Sequence, residues 1–527
     1  MRRTISIVAL AAATALVVLA AGAAGVGNAA GGTTTLRLGY YEDIQSPDPD
    51  IQYDIPGLEL VNNVYEGLVR YPFGNSAKIT PWLATSWKIS PNKTVYTFNL
   101  RHGVFFHDGT PFNSAAFKFD IQRRIAMKQG TLYQVQDIKS VATPSPYVLV
   151  ITLKHPVSAF LDYLASPYSL KAISPTAIRK NAKGNDWGKA WMNTHDAGTG
   201  PYEITHFVYG QEYDLASWSR WWGAPKPYYK IVQFLLVPDS GTQVLKLQAG
   251  DLDILHQQPT TTLDSFVNKA GYQVKVFPQM LKTWIHVNPN KGPFATLAVR
   301  QALAAAINKN LLVKTFFGNY GTVSTQFYPA GQLPTSLAQD NAPYDPSKLK
   351  AAVSKLPSSD RSVELTYLSG HGADIQRISE AIQSELSAAG LKVSVREITV
   401  SELFSYPSED PKSAKVPDLF VGSENPDSAS PDTWARPYAS HKAGLNYLAG
   451  DLPAADNLMN VGLASTNPAK ALSDYAKAGD LLVKNGTFVT IADVADTFLA
   501  RAGITGWEHQ IECTTCISLA SLRGPAN

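Results

Sequence analysis

Cysteine is nearly absent from this chain: Cys513 and Cys516 are the only two in 527 residues. A lone CxxC cannot complete a zinc site built from two such pairs. The 10 histidines are scattered and no two stand four apart, so no HExxH zinc helix exists. GxSxG is also missing, and so are GxGxxG and the phosphate-binding GKS/T loop. Nor does one sign of charge dominate. Lys and Arg number 46 against 43 Asp and Glu, a balance of +3. Without Arg2 and Arg3 it is +1, which gives no electrostatic footing for nucleic acid. The chain carries 45% apolar and 17% charged residues, a globular composition and not a disordered one. Its length predicts two to four domains or a large two-lobed body.

One long apolar run is present, at the start. Arg2 and Arg3 precede an uncharged stretch from Ile5 to Val26, and small residues at 21–23 and 28–30 offer cleavage sites. Residues 1–30 are read as an export signal, with an uncleaved membrane anchor as the other reading. Leu19-Ala20-Ala21-Gly22 contains no cysteine, so lipid attachment through this segment is chemically impossible. The protein is expected outside the cytoplasm, periplasmic or at the cell surface, without a lipid anchor on an N-terminal cysteine. In that oxidising compartment Cys513 and Cys516 are read as a local disulfide and not a redox pair.

Strand and helix patterns alternate along the chain. Tyr96, Phe98 and Leu100 alternate with Thr97, Asn99 and Arg101, the period of a half-buried strand. Ile375, Ile378, Ile382 and Leu386 fall on one helical face, Gly390 caps it, and residues 391–395 follow as a strand. Val299, Leu303, Ala306 and Leu311 mark a second helix. Leu472, Tyr475, Ala478 and Leu482 mark a third, ending at Asn485-Gly486. Such joints predict an α/β architecture with more than one core. Residues 407–437 are polar with little periodicity and read as a long functional or mobile loop.

Several motifs carry a closer likeness. Thr80-Pro81-Trp82-Leu83-Ala84-Thr85-Ser86-Trp87 leads into the strand above, and Leu100-Arg101-His102-Gly103-Val104-Phe105-Phe106-His107-Asp108-Gly109-Thr110-Pro111-Phe112 follows. Gly198-Thr199-Gly200-Pro201-Tyr202, Trp222-Gly223-Ala224-Pro225-Lys226, residues 247–254 and Val299-Arg300-Gln301-Ala302-Leu303 come in order behind it. The series resembles the family 5 extracellular solute-binding proteins, the dipeptide, oligopeptide and nickel receptors of ABC importers, over residues 35–520. The resemblance implies a two-lobed α/β body of the type II periplasmic-binding-protein kind, hinged by two crossover segments. Lobe one would take residues 35–286 and 489–527, with an extra subdomain at about 70–190. Lobe two would take residues 287–488.

The best-matched motifs read as structural. His107-Asp108-Gly109-Thr110 looks like half a catalytic dyad but stands between a strand and a helix, so it predicts a turn, with Asn113 or Ser114 as the helix cap. Pro201 removes an N–H that a phosphate cradle would need. Ser90-Pro91-Asn92-Lys93 matches SxxK by letter only, beside a hairpin turn.

Ligand contacts are expected from less regular segments. In relatives, the turn after the opening strand offers backbone pairing and an acidic side chain, which points to Asp43 and Ile44, with Glu42 as the neighbour one position away. Relatives hold a ligand α-ammonium on an Asp four residues before a Pro. Asp427 stands four before Pro431, and Glu424 takes the place of a frequent Trp. A buried carboxylate needs a cationic partner, which a ligand ammonium would supply. Ser369 and His371 lie in the loop where dipeptide-binding relatives place a carboxylate-clamping Arg; none is present here. Trp284 and Trp434 are read either as cleft wall or as core.

The resulting expectation is a monomeric, non-catalytic receptor without cofactor or metal, whose partners are a peptide or other small molecule and an ABC permease in the membrane. Nucleic acid is not expected as a partner. Two rivals stand beside it. The ligand is a non-peptide, such as a cationic small molecule, an oligosaccharide or a metal chelate. Or the chain is a secreted envelope hydrolase, for which no local Ser–His or Cys–His arrangement speaks.

Overall fold

The alternation at residues 95–100 does become a strand. In the computed structural model Val95–Leu100 buries Tyr96, Phe98 and Leu100, all 3% exposed or less, and turns the residues between them outward. The structure describes residues 34–337, 343–368 and 373–524. Val95–Leu100 belongs to a four-stranded antiparallel sheet with Ala84–Ile89, Val148–Leu153 and Ile138–Ser145. The helices Ser114–Met127 and Phe160–Ala165 cover it. Asn113 is the N-cap of the first helix, its side chain accepting from the Ala116 N–H at 3.0 Å.

A larger mixed sheet of eleven strands organises the rest of the described chain. From one edge it runs Lys392–Ile398, Ser362–Leu368, Leu419–Glu424, Tyr272–Val287, Phe488–Arg501, Ile254–His256, Thr35–Tyr40, Ile231–Leu236, Glu212–Ser217 and Tyr202–Val208, with Gly321–Val323 beside Phe488–Arg501. The two long strands, Tyr272–Val287 and Phe488–Arg501, pair with each other from Tyr272↔Arg501 to His286↔Phe488. Register shifts interrupt them between Phe277 and Leu281 and again between Thr283 and Trp284. At one end they feed an apolar cluster holding Phe498 and Ala500. At the other they feed clusters holding Ile285, Val489 and Ile491, and Trp284 and Phe488. Residues 282–287 also pair with Leu419–Glu424.

The helix Ala373–Ala388 buries Ile375, Ile378, Ile382 and Leu386, and Gly390 turns the chain at φ +98 into Lys392–Ile398. Leu311 departs from its expected place. The helix Leu297–Ala306 stops short of it, and Leu311 is 54% exposed on the separate turn Lys309–Leu312. The stretch 407–437 is also less irregular than its letters predict. It holds the strand Leu419–Glu424 and enters the helix Asp432–Ala439. That strand is central and covered on both faces, so it shows no alternation.

The GTGPY motif is packing. A Cβ on Gly198 would stand 2.1 Å from the Val64 carbonyl oxygen, and the Gly200 N–H donates to that same oxygen at 2.9 Å. Only a bare backbone fits there. Gly198→Ala should cost about 1–3 kcal/mol as overpacking, read as a lower thermal midpoint. An unchanged midpoint would show that the two segments can part.

Candidate functional site

Three strands end on one cavity. Residues 42–45 follow Thr35–Tyr40, Leu368 ends Ser362–Leu368, and Glu424 ends Leu419–Glu424. Open α/β sheets place ligands beyond such carboxyl ends. The cavity measures about 660 Å³. It continues past Ile55, Leu368 and Ser423 into a second space of about 530 Å³ that reaches His256 and Tyr320. A smaller hollow of about 180 Å³ lies elsewhere, around Glu66 and Lys171. There Glu66 accepts from Trp221, Trp222 and Thr199, and Lys171 donates to Asn62.

The lining of the main cavity has one charge sign. Glu42, Asp43, Asp54, Glu424 and Asp427 supply five carboxyl groups, and no Lys, Arg or His lies among the described lining residues. Tyr53, Tyr168, Tyr438 and Tyr447 form aromatic wall, and Phe404 reaches in from the helix Val400–Ser405.

Asp427 is 5% exposed. Its carboxylate accepts from the Tyr133 hydroxyl at 2.6 Å and from the Tyr53 hydroxyl at 3.1 and 3.2 Å. The Ser166 hydroxyl donates to its carbonyl. Burial pushes its pKa up to about 6, against the lowering pull of the two tyrosine hydrogen bonds. Burial also carries Glu424 up to about 7, with the Tyr438 hydroxyl opposing. Glu42 rises to about 7 through burial, then through the nearby Asp54 and Asp43 charges. Asp54 rises to about 6 by burial although the Gly57 and Gln45 N–H groups hold it. Asp54 doubles as the N-cap of the helix Ile55–Val64.

These positions sort the expected residues. Asp43, Glu424 and Asp427 line the cavity together. Asp43 is engaged, however: its carboxylate accepts the Tyr213 hydroxyl and the Ile44 N–H. The neighbouring Glu42 is the carboxylate with no hydrogen bond or ion pair among the described residues. The Ile44 side chain is wholly buried in the apolar cluster of Leu60 and Tyr213, which leaves only its backbone near the cavity. Of the two readings given for Trp284 and Trp434, the structure places both side chains in the core. Both are 0% exposed, Trp284 stacked on Phe488 at 5.0 Å and Trp434 donating its indole N–H to the Phe327 carbonyl at 3.0 Å. They pack behind the cavity and do not line it. Ser369 and His371 lie outside the described residues, as does the leader. Cys513 and Cys516 form a disulfide in a small cluster with Leu58 and Tyr168. His107 is held by Asp196 and by the Gly200 carbonyl at 3.1 Å, which makes it a brace between segments. The tyrosines, Asp54 and Phe404 were missed. A pocket tyrosine and a core tyrosine share the same local pattern, and Asp54 before Ile55-Pro56 reads only as a cap.

The comparisons with known proteins fit this geometry. Residues 78–446 match the family described as bacterial extracellular solute-binding proteins, family 5 middle. The chain belongs to that family. Family 5 proteins are binding components and not enzymes, and this one binds a small solute for an ABC transporter. Among its relatives is the probable D,D-dipeptide-binding periplasmic protein of Escherichia coli K12, 25% identical over 86% of this chain and 87% of that one. The glutathione-binding protein of Shigella flexneri is 28% identical over 66% of each chain. In fold, this family 5 chain resembles an ABC transporter-associated periplasmic binding protein of Helicobacter pylori, solved with the peptide STSA. Their TM-score is 0.80 at 20% identity, covering 94% of this chain and 99% of that one. No helix among the described residues of this family 5 protein is long and apolar enough to cross a membrane. Those residues also hold no group of three or more His, Cys, Asp or Glu placed to bind a metal ion.

The raised carboxyl groups set opposite pH trends. Each titrates higher in the folded chain than its ordinary value near 4. The folded chain therefore binds extra protons between about pH 4 and 7, and the empty protein gains stability as pH falls through that window. A cationic ligand needs the ionised forms, so its affinity should fall severalfold from pH 7 to pH 5. Calorimetry at the two values, with thermal melts of the empty protein, checks both signs.

Proposed function

We propose that this solute-binding protein captures a peptide or peptide-like ligand by its ammonium group, in the cavity between residues 42–55 and 423–427, and delivers it to a membrane permease from outside the cytoplasm. The observation that carries this reading is Asp427, a buried carboxylate given two tyrosine hydroxyls but no basic side chain among the described residues. An uncompensated buried carboxylate is costly, and a ligand ammonium at hydrogen-bond distance offsets that cost. The peptide-binding relatives support a peptide as the carrier of that group. Backbone pairing to an extended chain would add affinity without strong side-chain selection. Closure of two halves, turning about the paired strands Tyr272–Val287 and Phe488–Arg501, would enclose the ligand.

The test compares Ala-Ala-Ala with its N-acetylated form by calorimetry. Acetylation removes the ammonium charge and adds one acetyl group. The acetylated peptide should bind at least tenfold more weakly. Equal binding would end the ammonium reading, and tight binding of neutral sugars in the same cavity would replace it.

A further inference from the structure

Asp427 and Glu42 stand on separate segments of one cavity. The first is buried under tyrosine hydroxyls. The second has no hydrogen bond or ion pair among the described residues and stands beside the Asp43 and Asp54 carboxyl groups, whose charge opposes its ionisation until a cation arrives. A single ammonium at Asp427 leaves Glu42 without a cation, with no Lys, Arg or His on the described lining to balance it. Like charges crowded on one wall of a cavity repel one another. No described lining residue supplies positive charge, and a ligand cation would supply it. Aromatic wall from Tyr53, Tyr168, Tyr438 and Tyr447 suits cationic heads and the apolar spacer that joins them.

We propose that the cavity selects a ligand with two positive charges, one held by Asp427 and the other by Glu42. This rests on the ammonium reading above and narrows its ligand class. The same argument disfavours a free carboxylate inside the cavity, where five acids would face it. Two sources share the dicationic chemistry: a peptide whose first residue is basic, and a linear polyamine.

Calorimetry on the full chain with Lys-Ala-Ala, Ala-Ala-Ala, Glu-Ala-Ala and spermidine tests this. Lys-Ala-Ala should bind at least fivefold tighter than Ala-Ala-Ala, and Glu-Ala-Ala most weakly of the peptides. Glu42→Gln should weaken Lys-Ala-Ala by a larger factor than Ala-Ala-Ala. Spermidine binding without Lys-Ala-Ala binding would support the dication and assign it to a polyamine. If Lys-Ala-Ala and Ala-Ala-Ala bind equally and Asp427→Asn weakens both, the second charge is overturned while the ammonium anchor survives. Failure of all four probes, or indifference of every bound one to Asp427→Asn, would overturn both readings. The comparison among ligands on the unaltered protein stands even if a variant fails to fold.

Discussion

Asp427→Asn should weaken Ala-Ala-Ala by more than tenfold, or about 1.4 kcal/mol. The substitution keeps the side chain's shape and one acceptor oxygen for the hydroxyl of Tyr53 or Tyr133. It removes the charge, and with it the reason for an ammonium to leave water. The empty variant should be no less stable than the parent, because a desolvated anion has been taken out of the fold. Calorimetry and thermal melts together therefore separate a lost contact from a damaged fold. Unchanged affinity would remove Asp427 from the site.

The second large effect concerns how the cavity's other wall is held. Arg123 and Arg124, on the helix Ser114–Met127, clamp Asp48 and Asp50 where nothing is exposed beyond 1%. Arg123 reaches both oxygens of Asp48 at 2.7 and 2.5 Å and Asp50 at 2.6 Å, and its Nε donates to the Trp187 carbonyl at 2.9 Å. The clamp anchors the stretch that continues into Ile51, Tyr53 and Asp54. Arg123→Met would leave Asp48 buried without its cation. The cost should be about 3–5 kcal/mol, the range for breaking a buried pair from one side. Ligand affinity should fall as well, since Tyr53 and Asp54 lose their footing. Arg396, 40% exposed between Glu364 and Glu402, is the contrast. Its removal should cost at most about 1 kcal/mol, because water screens that pair. Equal losses in chemical denaturation would refute the distinction.

What the letters disclosed was local. The strand Val95–Leu100 and the helix Ala373–Ala388 each bury one face of a regular period, so counting residues suffices. The spacing of Asp427 to Pro431, in a segment that resembles a known family, pointed to a residue that the structure puts on the cavity lining. What stayed hidden depends on distant neighbours. Which of Asp43 and Glu42 carries a side-chain partner is decided by Tyr213, 170 positions from Asp43. Trp284 and Trp434 look like binding aromatics until Phe488 and Phe327 arrive from other parts of the chain. Tyr53 and Tyr133 earn their role only by meeting Asp427 across 374 and 294 positions.

The two long central strands restrict how such a body moves. Tyr272–Val287 and Phe488–Arg501 are hydrogen-bonded to each other over most of their length, and Lys282 grips Asp493 at 2.8 Å directly across the pair. Two tethers zipped together cannot flex one at a time. Bending would concentrate at the irregular step between Phe277 and Leu281, where the ladder is already broken, and it would follow one axis with little freedom to twist. Opening and shutting would then behave as a jaw with a single degree of freedom, presenting a transporter with two outlines and little between them.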